Sequence, residues 1–150
     1  MYVKAEKFAQ GGRSVGHLED GRVVFIDGLF PGEEAEISII EDKKDYCIAS
    51  VKEIFVKSPL RRTSPCQYSN GCGGCPWIEL SYDAQVEQKK LLLKELFSDF
   101  PEAEFKDPVT GPEFGYRCRA RFQYSVKNGK PSLGFCAESS NKSVEIKSCP

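Results

Sequence analysis

The chain has 150 residues, 21 Lys+Arg against 22 Asp+Glu, a net charge of −1 and 40% hydrophobic residues. That length holds one ordinary domain or two small ones, and the composition excludes a disordered or collagen-like chain. No apolar run approaches the ~18 residues of a membrane span, and Met1-Tyr2-Val3-Lys4-Ala5-Glu6 has no signal-peptide core, so a cytoplasmic protein without a membrane partner is expected. With no overall positive field, a polyanion has to be held by local basic patches.

The first 57 residues carry 8 basic and 11 acidic side chains, the remainder 13 and 11. The division falls at Lys57-Ser58-Pro59, just before Arg61-Arg62, and predicts two domains, 1–57 and 58–150. In the first, Arg22–Asp27 is a β-branched run entered through Asp20-Gly21 and left through Gly28. Pro31-Gly32 turns the chain into the alternating stretch Ala35–Ile39, and Tyr46–Val56 is a longer extended run. Several strands in so short a segment predict a closed or nearly closed OB-like β-barrel.

In the second domain the pattern predicts a helix over Ser81–Phe100, with Ser81 as N-cap and Pro101 as the stop. Tyr82, Val86, Leu93, Leu96, Phe97 and Phe100 share one face, with Lys89 in its middle and Leu91 opposite. Lys89 reads either as a snorkelling lysine or as a charge aimed at an anionic partner. From Tyr116 the period becomes two: Tyr116, Cys118, Ala120, Phe122, Tyr124 and Val126 alternate with Arg117, Arg119, Arg121, Gln123 and Ser125. Asn128-Gly129 predicts a hairpin turn into Leu133-Gly134-Phe135, and Val144–Ile146 a third strand. The fold class expected is therefore β-rich α+β: barrel, cysteine loop, one helix and a small antiparallel sheet.

Seven cysteines are an odd number, and without a targeting signal clustered thiols read first as metal ligands. Cys66, Cys72 and Cys75 lie in C-x5-C-x2-C, with glycines at 71, 73 and 74 expected to accept positive φ and to offer N–H groups to cluster sulfides. Three thiolates in a glycine-rich loop with a distant fourth follow iron–sulfur ligand logic, and the x5 gap fits a structural zinc site poorly. Spacing leaves the fourth ligand open among Cys118, Cys136 and Cys149; Cys47 is expected in the barrel core. Trp77 is expected to shield the loop from water, and His17 to be an ordinary loop residue.

The order GGRSVGHLEDGRVVFIDGLFPGE, C-x5-CGGC, GYRCRARFQYS and LGFCAESSNKSVEIKSCP resembles the SAM-dependent RNA uracil-5-methyltransferases that carry a TRAM domain and a 4Fe–4S cluster, the RlmD/RumA type. The resemblance covers essentially all 150 residues. It implies a TRAM barrel at 1–57, an iron–sulfur/central domain from 58 that is incomplete at its C-terminus, and Cys66, Cys72, Cys75 and Cys149 as the four cluster ligands. Gln85 and Lys89 match a recurrent Gln-x3-Lys, and Tyr116-Arg117 a recurrent Tyr-Arg; Ile78 departs from a frequent glutamine. In the family's reaction a cysteine thiolate adds to C6 of uracil, C5 takes the methyl group of SAM, and a base removes the C5 proton. The Rossmann-like SAM domain, the nucleophile and the base match nothing among these residues, so the chain alone is expected to be inert and to have that domain as a partner.

The partner expected is structured RNA, ribosomal or transfer, rather than DNA. Arg117, Arg119 and Arg121 on one strand face, with Arg13, Arg61, Arg62 and Lys89, are the candidate phosphate contacts. The alternative is a stand-alone RNA-binding iron–sulfur or zinc module; an electron-transfer protein has no evident need of a barrel.

Overall fold

The computed structural model describes residues 1–127, 129–138 and 140–150. The chain divides into two compact units, one of residues 1–62 and 80–108, the other of 63–79 and 109–150. The helix, expected with the second domain, thus belongs with the barrel segment.

In the first unit six strands form one curled sheet, a half-barrel: β1 (Tyr2–Lys4), β2 (Lys7–Phe8), β3 (Ser14–His17), β4 (Val23–Asp27), β5 (Glu34–Asp42) and β6 (Tyr46–Val56), in the order β1-β5-β6-β4-β3-β2. All neighbours are antiparallel except β4 and β6. Alternation explains the core: Val24 and Ile26, Ala35 and Ile37, Cys47 and Ala49 point inward and pack with Val3, Ala5, Leu18 and Leu29. Each large aliphatic side chain so buried contributes about 1.5–3 kcal/mol. The sheet curls until β1 lies against β3, where a Cβ on Gly16 would sit 2.6 Å from the Lys4 carbonyl oxygen. His17 is on strand β3 rather than in a loop, with Nδ1 2.8 Å from Glu6 Oε1.

Helix α1 (Tyr82–Leu96) starts where expected, the Ser81 hydroxyl accepting from the Ala84 amide, and ends four residues before Phe100. Its expected apolar stripe is not core: Ala84 is the buried residue of the helix, and Leu93, Leu96, Phe97 and Phe100 are exposed. Periodicity places them on one face, but in this unit nothing covers the distal half of that face. Phe97 instead packs on Phe100 and Phe105, and Glu95 pairs with Lys7. Lys89 and Leu91 are exposed. No helix among the described residues is long and apolar enough to cross a membrane.

The second unit holds an antiparallel sheet of β7 (Gln123–Lys127), β8 (Lys130–Cys136) and β9 (Ser143–Glu145). Lys127 pairs with Lys130, the register of a two-residue hairpin; Asn128 lies outside the described residues, and Gly129 has φ of 74°. The strand expected from Tyr116 begins only at Gln123. Its expected core face is not covered either: Tyr116, Phe122, Tyr124 and Val126 are exposed, as are Arg117, Arg119, Arg121 and Gln123 of the alternate positions. A period of two sorts side chains onto faces without saying which face is covered.

Candidate cysteine centre and nucleic-acid interface

The cysteine loop is folded by its own carbonyls. The Cys66 and Tyr68 carbonyls accept from Ser69, Gly71 and Cys72, and the Cys75 carbonyl from Ile78. Cys72 bridges to Ala137, the Gly73 amide donates to the Cys136 carbonyl at 2.9 Å, and the Tyr68 hydroxyl accepts from the Lys147 amide. These contacts dock the loop on the end of β8 and hold the segment leading to Cys149 beside it.

The glycines serve a different purpose from the one expected. Gly71, Gly73 and Gly74 all lie outside the left-handed region, and the amides of Gly71 and Gly73 are taken by carbonyls. A Cβ on Gly73 would lie 3.0 Å from the backbone of Glu138, and one on Gly74 3.4 Å from Cys72 Sγ. A side chain at 73 would have to push the backbone of residues 137 and 138 back by a few tenths of an ångström, so glycine suits the close approach.

All seven cysteines are free thiols. Burial pushes the Cys75 thiol up, and the neighbouring Cys149, Cys72 and Cys66 sulfurs push it further, against the Arg117 guanidinium. The Cys75 sulfur is therefore close enough to those of Cys149, Cys72 and Cys66 to feel each of them. Among the described residues no group of three or more His, Cys, Asp or Glu side chains is already set to hold a metal ion. In donor chemistry the thiols fit an iron–sulfur group; in this conformation they are gathered without converging. Cys47 is fully buried as expected, its thiol raised by burial and by a 3.2 Å contact to Asp42. Trp77 is half-buried.

The candidate phosphate contacts fall into both units. In the first, Arg13 Nε is 2.9 Å from Asp27, Arg62 is half-buried and Lys89 is exposed on the helix. Arg61 is committed to the interior: its guanidinium makes two 2.7 Å bonds to the Glu33 carboxylate, one of 2.8 Å to the Gly28 carbonyl, and lies 4.0 Å from the Phe30 ring centroid. In the second, Arg117, Arg119 and Arg121 are exposed on the irregular segment before β7, with Arg117 over the Tyr116 ring. They share one chain segment without the strand that was expected to lock their common face.

Glu33 is a residue that sequence reasoning misses. It is fully buried and accepts from the Phe30 and Ser58 amides as well as from Arg61. In the chain it only ends a Pro-Gly-Glu turn, and nothing in the pattern links it to a residue 28 positions away.

The model of the TRAM domain matches residues 1–52, the segment that builds the curled sheet. Residues 1–52 are a TRAM domain. The TRAM segment and the rest of the chain together are 41% identical, over 97% of the chain and 34% of the relative, to the 23S rRNA (uracil(1939)-C(5))-methyltransferase RlmD of Methylococcus capsulatus. The RlmD of Pseudomonas entomophila is 38% identical over 97% of the chain and 33% of its own length. An uncharacterized RNA methyltransferase of Thermotoga maritima is 31% identical over 98% of the chain and 33% of its own length. The chain thus spans about a third of the curated relatives it matches, and the family resemblance read from its motifs stands. The fold matches a Pyrococcus abyssi tRNA (uracil-54, C5)-methyltransferase, crystallised with S-adenosyl-L-homocysteine, with TM-score 0.59 and 23% identity over 99% of the chain and 32% of that structure.

Proposed function

We propose that this chain is the RNA-holding part of a SAM-dependent RNA uracil-C5 methyltransferase. The observation that carries the reading is the 41% identity to an RlmD along 97% of the chain, TRAM domain included. Ribosomal RNA is the substrate favoured, because the curated relatives named for 23S rRNA are the more similar ones. SAM chemistry belongs to the two thirds of the relatives' length that this chain does not span. The work of these residues is to grip folded RNA and present a uridine lifted from its stack.

The same reading assigns Cys66, Cys72, Cys75 and Cys149 to one 4Fe–4S cluster. The nearness of Cys75 to the other three sulfurs and the Tyr68–Lys147 contact that brings the last segment to the loop support the assignment. When bound, the cluster supplies four iron–thiolate bonds that cross-link residues 66–75 to residue 149. After anaerobic purification, Ala at any of the four should remove the iron, whereas Cys47→Ala should retain it. Full iron in Cys149→Ala would move the fourth ligand to Cys136; a colourless, zinc-loaded protein would replace the cluster altogether.

Arg117, Arg119 and Arg121 are the phosphate-binding side chains the reading favours, being exposed and free of acidic neighbours on their own segment. Anisotropy titrations against structured RNA at several salt concentrations test this. The Arg117→Ala/Arg119→Ala/Arg121→Ala protein should bind more weakly, its salt slope reduced by about 0.7–0.9 for each phosphate that is no longer neutralised. Unchanged affinity and slope in a folded variant would leave the three arginines a solvated surface.

A further inference from the structure

Helix α1 is held to its own unit by its small and polar side. Ala84 is the buried residue of the helix, and Glu95 pairs with Lys7 of β2. At about 3.6 residues per turn, Ala84 points about 180° and Glu95 about 160° away from Leu93. Leu96 and Phe97 lie within about 60° of Leu93. The apolar stripe is thus turned away from the side that anchors the helix. Phe97 carries it into the following segment, with the Phe100 and Phe105 rings at 6.1 and 6.2 Å. Earlier on the same stripe Tyr82 and Val86 are half-buried, whereas Leu96 is 64% and Phe100 54% exposed.

A single exposed leucine is ordinary, but a contiguous apolar patch marks an interaction surface. Of the 19 large apolar side chains exposed among the described residues, 13 lie from Leu91 onward, so most of the open apolar surface is outside the TRAM domain. We propose that the stripe of α1 is the seat on which the methyltransferase part of the same polypeptide docks. The helix would then lie between two bodies, with the TRAM unit on its Ala84 side and the methyltransferase part on its Leu93 side.

The chain spans about a third of the curated relatives' length, and in them the other two thirds belong to the same polypeptide. A tethered partner meets this face at high effective concentration, so a modest apolar patch suffices to hold it. RNA suits the face less well. Leu93 and Leu96 have no π face, and Phe97 meets its neighbours at 58° and 77°, which leaves no flat platform for a base. Lys89, exposed in the same stripe, calls for one acidic side chain on the docked surface. The proposal rests on the methyltransferase reading above.

The test compares this chain with the product of the complete gene that encodes it. Hydrogen exchange at the amides of residues 89–96 should be at least about tenfold slower in the longer product. Leu93→Asp and Phe97→Asp should each abolish that difference, while the melting of the 150-residue chain stays unchanged because both side chains are exposed there. A gene that ends at Pro150, or a longer product that binds no S-adenosylmethionine by calorimetry, overturns the methyltransferase reading and the docking with it. A product that binds S-adenosylmethionine while α1 exchanges as fast as in the shorter chain overturns the docking alone. Loss of a dimer of the shorter chain in the Asp variants, followed by sedimentation, would assign the stripe to a second copy and overturn the proposal. Loss of RNA affinity in those variants of the shorter chain would assign it to RNA and likewise overturn it.

Discussion

Arg61→Ala should destabilise the first unit by about 3–5 kcal/mol, the cost of leaving one member of a buried ion pair without its partner. Glu33 would keep the Phe30 and Ser58 amides, at 2.9 and 3.1 Å, but its charge would remain in a site with no solvent. The Gly28 carbonyl would lose its donor and the Phe30 ring its cation. At about 4–8 °C per kcal/mol for a unit of this size, the melting temperature should fall by at least about 12 °C. Arg61→Lys should recover only part of this, because an ammonium cannot fill both prongs of the carboxylate. Lys44→Ala, at an exposed position, should stay within about 0.5 kcal/mol of wild type. Urea titrations followed by circular dichroism measure all three. Weaker RNA binding in Arg61→Ala would then report unfolding rather than the removal of a phosphate ligand; a wild-type melt would show that Glu33 does not depend on the guanidinium.

Gly134→Ala should disrupt the second unit. A Cβ there would sit 1.7 Å from the Val144 carbonyl oxygen and 3.1 Å from Glu145 Cα, separations no rotamer change can relieve because both neighbours are backbone. Gly134 is paired with Glu145, so β9 must move off β8. The cost should reach or exceed the upper part of the overpacking range, about 3 kcal/mol. The effect should travel, since two residues on the Cys136 carbonyl holds the Gly73 amide of the cysteine loop. Hydrogen exchange at the β8 and β9 amides should accelerate, and exchange at the Gly73 amide with it. Native exchange rates in the variant would mean that β9 does not lie against Gly134.

Much of the architecture is legible in the chain because its signals are local. A β-branched run over 22–27, alternation over 35–39 and an extended run over 46–56 mark strands whose inward residues include Val24, Ile26, Ala35, Ile37, Cys47 and Ala49, and Ser81 marks a helix start by its own hydrogen bond. The motif C-x5-CGGC points to a thiol site from spacing alone, and the motif order points to the family without any fold. The short strands β1, β2 and β3 escape, having too few residues to establish a period.

Tertiary structure alone decides which faces are covered and which charges are spent. The apolar stripe of the helix and the aromatic row at 116–126 have the right period, but a period fixes relative direction, and burial depends on what else arrives. Arg61 and Arg62 look equivalent in sequence; the fold brings Glu33 to Arg61 across 28 residues and makes it an interior residue. Likewise the glycines of the cysteine loop look like turn residues, and only the approach of residues 137 and 138 shows that Gly73 serves a tight backbone contact. Local propensity is written residue by residue, whereas desolvation and close approach are properties of pairs that only folding brings together.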